Sequence, residues 1–134
     1  MKNEVKKRAR NVALLLTLTV LSACGGSNQN SVPPQQWQDT DIRVETRPSP
    51  PQRGMNEVLV LATGERGRPN YDLLVSLRTD DGDDWKQAIQ DGQVGVYRRA
   101  VEFAPGARSV LQVQVSKRGG GEASVLRFPM NVEP

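Results

Sequence analysis

From Trp37 to Pro134 the apolar residues of this chain recur at every second position, and that period admits strands and little else. Ile42, Val44 and Thr46 alternate with Arg43, Glu45 and Arg47. Leu111, Val113 and Val115 alternate with Gln112, Gln114 and Ser116, and Leu126, Phe128, Met130 and Val132 with Val125, Arg127, Pro129 and Asn131. Successive side chains of a strand point to opposite faces, so a period of two gives one apolar and one wetted face. Tyr71, Leu73, Val75 and Leu77 form a further set, and Tyr97, Val101 and Phe103 line one side of Val94–Phe103. In Asn56–Thr63, Val58 and Val60 face Leu59 and Leu61 across the strand, which predicts a central strand covered on both faces. A short piece, Trp85–Gln90, completes the set.

Turn-forming residues separate these runs: Gly64–Pro69, Asp80–Asp84, Asp91-Gly92, Pro105-Gly106 and Gly119-Gly120-Gly121. Seven short strands at near-regular spacing, with no helical window, predict an all-β fold, an antiparallel immunoglobulin-like β-sandwich of about seven strands. Residues 37–134 are enough for one small domain. Proline cannot donate to a ladder, so Pro129 marks the last strand as an edge. The chain has one cysteine, so no disulfide joins the sheets and the core must hold by packing. Most of the aromatics belong to that core. Tyr97 is expected to act as a tyrosine corner, with its hydroxyl tied to nearby backbone. Trp85, which follows an acidic turn, is the aromatic expected to be partly exposed.

The N-terminus follows a different rule. Lys2, Lys6, Lys7, Arg8 and Arg10 precede an apolar run from Val12 to Leu21, which ends in Ser22-Ala23-Cys24. Ten residues at about 1.5 Å each cannot cross a hydrocarbon core of about 30 Å, so the run is a signal and not a span. Leu21-Ser22-Ala23-Cys24 resembles the lipobox of bacterial lipoproteins. That resemblance implies diacylglycerol on the Cys24 sulfur and cleavage between Ala23 and Cys24. It divides the chain into a signal peptide (1–23), a lipidated cysteine with a flexible tether (24–36) and the sandwich (37–134). The tether, GGSNQNSVPPQQ after Cys24, has too little apolar surface to offset its ordering entropy. In the lipoprotein family aspartate after the cysteine favours inner-membrane retention; Gly25 stands there instead, which implies an outer membrane, periplasm-facing address.

Removing the signal inverts the charge. Of 18 Lys+Arg and 15 Asp+Glu, five bases and one acid lie in residues 1–23, leaving 13 and 14, a net −1. The basic balance of the whole chain therefore belongs to the signal, and no nucleic-acid partner is expected.

A second resemblance covers residues 54–132. Glu57–Ala62, Gly64–Pro69, Asp72–Leu77, Gly95-Val96-Tyr97 and Pro105-Gly106 occur in the order of the YtkA-like and FixH-like exported β-sandwich domains. Some members of that group are associated with copper handling, which implies a metal-handling accessory role as an alternative function.

The residues present restrict chemistry further. The chain has no histidine, which excludes Ser-His-Asp and Cys-His catalysis and removes the usual zinc ligands. Copper favours thiolate, thioether or imidazole ligands, and the mature chain offers only the acylated Cys24 with Met55 and Met130. Asp80, Asp81, Asp83 and Asp84 are the densest set of hard oxygen ligands and the weak candidates for calcium. Their spacing does not fit an EF-hand loop, and a solvated turn explains the same residues. The expectation is a non-catalytic binding or accessory module, without a cofactor. It would be held to the membrane through lipidated Cys24, with an envelope protein as its partner.

Overall fold

The computed structural model describes residues 32–80, 83–104 and 108–134. The signal, Cys24 and the Pro105-Gly106 turn lie outside them. Among the described residues, nine strands build two antiparallel sheets: β1 (Gln35–Trp37), β2 (Thr40–Arg47), β3 (Gly54–Thr63), β4 (Leu73–Arg78), β5 (Lys86–Gln87), β6 (Ile89–Gln90), β7 (Val96–Phe103), β8 (Arg108–Lys117) and β9 (Ser124–Asn131). One sheet has the order β1-β2-β3-β7-β6 and the other β5-β4-β8-β9. With β2 as strand A and β9 as strand G, these are ABED and C′CFG, the immunoglobulin-like connectivity.

The period of two places the core. Ile42 and Val44 of β2, Val58 and Val60 of β3, and Tyr97, Val101 and Phe103 of β7 face Leu73, Val75 and Leu77 of β4, Leu111, Val113 and Val115 of β8, and Phe128 and Met130 of β9. Each such side chain stabilises the sandwich by roughly 1.5–3 kcal/mol through burial. Trp37 and Val132 close the ends of this cluster. β9 is an edge strand, and Pro129 is exposed on its outer face, as its sequence predicts.

Two further ties position the ends of the sandwich. The buried Asn56 side chain donates to the carbonyls of Gln52 (2.6 Å) and Gly54 (2.9 Å) and accepts from the Gln52 amide (2.9 Å), which shapes the turn into β3. The C-terminal segment joins that turn: the Arg53 amide donates to Glu133 O and the Glu133 amide to Pro51 O.

The structure departs from the sequence reading at five places. Composition assigns Gln35 and Gln36 to the tether, but they form β1, paired with Ile42 and Asp41 of β2, and Val32 packs against the core. Backbone pairing, which leaves no mark on composition, holds them. Trp85–Gln90 is two strands and not one: β5 pairs with β4, β6 pairs with β7, and buried Ala88 carries the chain from one sheet to the other. Tyr71 lies before β4 and is 47% exposed, so it is no part of the core. Among the described residues, no layer covers the outer side of β3. Leu59 is buried there between Glu45 of β2 and Arg98 of β7 in register, within reach of their aliphatic stems. Arg99, opposite Val58, has the parity of the core residues yet is exposed, because β6 stops beside Arg98 and leaves that part of β7 uncovered.

Candidate functional site

Of the residues singled out for chemistry, Ala23, Cys24 and Asp81 lie outside the described residues. Asp80, Asp83 and Asp84 are exposed in the β4–β5 connection. The Asp83 amide donates to Asp80 O at 3.1 Å and the Thr79 hydroxyl to Asp83 Oδ2 at 3.4 Å, the bonds of a tight turn. No group of three or more metal-ligating side chains occurs among the described residues. Met130 is 4% exposed in the core and Met55 is 66% exposed on the surface. Among the described residues no helix is long and apolar enough to cross a membrane.

Tyr97 is 1% exposed, and its hydroxyl is the centre of a polar knot. It donates to Asn70 O at 3.1 Å and accepts from the Leu73 amide at 3.2 Å. These partners lie at the start of β4, in the opposite sheet. The hydroxyl thus joins strand E to strand C, whereas a tyrosine corner sits on strand F and bonds a few residues upstream. Burial raises the Tyr97 pKa above the ordinary tyrosine value, against the smaller opposing effects of the Leu73 amide and Arg118. Around the knot, the Gln90 amide nitrogen donates to Tyr71 O at 2.8 Å and Arg118 donates to Gln90 Oε1. Gly95 closes the same end. Its φ is +72°, and a Cβ there would stand 2.5 Å from Ala62 O. The Ala62 amide donates to Gly95 O and the Asn70 amide to Ala62 O.

On the outer face of the four-stranded sheet, the Arg78 guanidinium lies 4.3 Å from the Trp85 ring centroid. Its Nε donates to Gln112 Oε1 at 3.0 Å. Trp85 is half-buried beneath this contact, as its sequence setting predicts.

The β9 edge and the stretch of β7 beyond β6 differ sharply. In an antiparallel ladder the N–H and C=O of one residue point to the same side. The Gln35 side chain donates to Arg127 O at 2.6 Å, so Val125, Arg127, Pro129 and Asn131 form the outward row of β9. Pro129 has no N–H and the Arg127 carbonyl is taken, so this row is blunted at two positions. At β7 the Asp91 amide donates to Val96 O, which places Val96, Arg98, Ala100 and Glu102 in the outward row. β6 pairs as far as Arg98, and then the chain leaves: the Ala88 amide donates to Val75 O in the other sheet. The Glu102 carbonyl accepts the Thr79 hydroxyl at 2.8 Å. Among the described residues, the Ala100 N–H and C=O and the Glu102 N–H have no partner.

Side chains frame this open stretch. Met55 and Ile89 (66% and 65% exposed) flank it on the outer face with Ala100. Arg98 is engaged by Glu57 at 3.5 Å and by Asp91. Lys86 and Arg99 line the same groove, and no carboxylate among the described residues pairs with either. The sequence marks this place only by Arg99 at a core-parity position and by the apolar Met55 and Ile89 at strand ends. Comparison with protein-family models, curated proteins and solved structures finds no match to this chain.

Proposed function

We propose that this chain is a lipoprotein anchored in the bacterial cell envelope, with a β-sandwich that serves as a non-catalytic binding or accessory module for another envelope protein. The observation that carries the reading is the run Leu21-Ser22-Ala23-Cys24, placed behind a basic segment and a ten-residue apolar stretch and ending in the sole cysteine of the chain. An exported thiol without a partner is exposed to oxidation, and acylation removes it from that chemistry. Several acyl chains on one cysteine, at about 0.8 kcal/mol per buried CH₂, anchor a domain of this size stably. Gly25 in place of aspartate favours the outer membrane, facing the periplasm. The open edge of β7 supports a binding role, since an unpaired strand edge is a ready template for another chain.

The test is the intact mass of the protein extracted from its native membrane. A mass equal to residues 24–134 plus acyl chains is the expected result. A mass without lipid refutes the anchor. Cys24→Ala is expected to accumulate as the uncleaved, unacylated precursor.

A further inference from the structure

Building on the reading of the domain as a binding module, we infer that the β7 edge at Ala100–Glu102 accepts an extended strand of a partner protein, with an apolar side chain opposite Ala100 and an acidic one opposite Val101, on the inner side beside Arg99. Three observations converge on this edge.

The first is the backbone. Ala100 offers an N–H and a C=O, and Glu102 an N–H, in a row where β6 already shows the pairing that the remainder lacks. Main-chain hydrogen bonds to such a row give strand addition its affinity, and alternate side chains give it specificity. A short strand that begins opposite Ala100, beyond the slot of Ala88, continues the sheet in line with β6 and leaves the Ala88–Val75 bond in place, while the Thr79 hydroxyl on Glu102 O bounds it at the other end. The β9 edge, by contrast, is blunted by Pro129 and by the Gln35 side chain.

The second is the outer face. The residue opposite Ala100 lies next to Ile89, and Met55 of β3 lines the same groove from across Ala100; these are two of the most exposed large apolar side chains of the domain. A large apolar side chain placed there covers Ile89 and extends over Ala100 toward Met55.

The third is charge. Arg99 points toward the inner side of the sheet, where Lys86 of β5 shares the groove, and neither has an acidic partner among the described residues. Inward cations at an edge repel a second copy of the same edge, since Arg99 would meet Arg99. The same charges attract a strand that brings a carboxylate. The occupant is therefore a foreign acidic strand.

The experiment uses the purified full chain in detergent and a capped peptide of alternating valine and glutamate. Binding is followed by fluorescence anisotropy and amide exchange. The expected result is slowed exchange at Ala100 and Glu102. Affinity should drop about tenfold or more with lysine in place of glutamate, and again in the Lys86→Glu/Arg99→Glu double variant. A peptide N-methylated at alternate amides, tested on the unaltered protein, is expected not to bind, which makes the backbone requirement independent of any variant's folding. Equal binding of the lysine or the N-methylated peptide overturns the inference, and so does the absence of slowed exchange at Ala100 and Glu102. The acylated mass tests the anchor separately, so a failed edge site leaves the anchored reading standing.

Discussion

Removing one oxygen atom, in Tyr97→Phe, tests how the two sheets are fastened together. The ring keeps its place and volume among the core residues, so no cavity opens. What is lost is the acceptor for the Leu73 amide and the donor to Asn70 O. Leu73 is 1% exposed, and losing the hydroxyl leaves its amide donor without a protein partner. Asn70 is only half-buried, and its carbonyl finds solvent at small cost. The loss is therefore dominated by one orphaned buried donor, about 1–3 kcal/mol. For a domain of this size each kcal/mol moves Tm by about 4–8 °C, so the variant should melt roughly 8–16 °C lower at a mid-range loss of about 2 kcal/mol. The hydroxyl also sets a pH dependence. Its folded pKa is raised by burial, so above the ordinary tyrosine value near 10 the unfolded chain releases a proton that the folded chain retains. Stability from this group is complete below that pH and is lost as pH rises through the folded pKa. Denaturant titrations from pH 8 upward should show wild type losing stability faster than Tyr97→Phe, the two curves converging. The reasoning is refuted if the variant melts within about 2 °C of wild type, or if their difference is constant with pH.

Gly95→Ala is expected to cost at least about 2 kcal/mol in urea unfolding, because positive φ and a Cβ against Ala62 O act together. A cost near zero would mean that the β6–β7 turn is free to shift. Asn56→Ala removes three hydrogen bonds of a buried amide and should cost about 2–3 kcal/mol, with faster exchange at the Gln52 amide than elsewhere. Uniform loss of protection would show that the turn has no local role. Saturating calcium or a chelator should move Tm by less than about 1 °C, since the Asp83 amide and Asp80 carbonyl are joined by a turn hydrogen bond and no group of three ligating side chains occurs among the described residues. A rise of several degrees that Asp83→Asn abolishes would restore the calcium reading.

The alternation of Ile42, Val44 and Thr46, or of Leu111, Val113 and Val115, was enough to place strands and core, because burial on one face of a pleat imposes that period directly. Pro129 was legible for the same kind of reason: a missing donor restricts where a strand can sit. What escaped rested largely on backbone. Gln35 and Gln36 carry no apolar signal, and their pairing to β2 rests on main-chain bonds that any residue can make. Ala88 hides the change of sheet, since one small buried residue within Trp85–Gln90 leaves the local pattern intact. The open edge was nearly invisible for a complementary reason. It is defined by where β6 stops, which depends on the Ala88 amide finding Val75 O across the sandwich. Arg99 at a core-parity position, with apolar Met55 and Ile89 at strand ends, was the local sign, and its meaning requires knowing that no strand lies beside it.

The order β1-β2-β3-β7-β6 has a mechanical consequence. On the proposed anchor, the membrane pulls on the chain through β1, while a partner on β7 pulls at the far side of the same sheet. Any load between them runs crosswise through four strands at about 4.8 Å spacing, across their hydrogen bonds rather than along the strands. The weakest link in that line is β1, three residues long and secured at its outer side by the Gln35–Arg127 contact. Under tension this strand would peel before β2, at the cost of drawing Trp37 out of the end of the core, while the partner's seat on β7 stays whole. On that anchor, the Gln35 contact, the pairing to β2 and the burial of Trp37 would together set the force at which the domain gains reach.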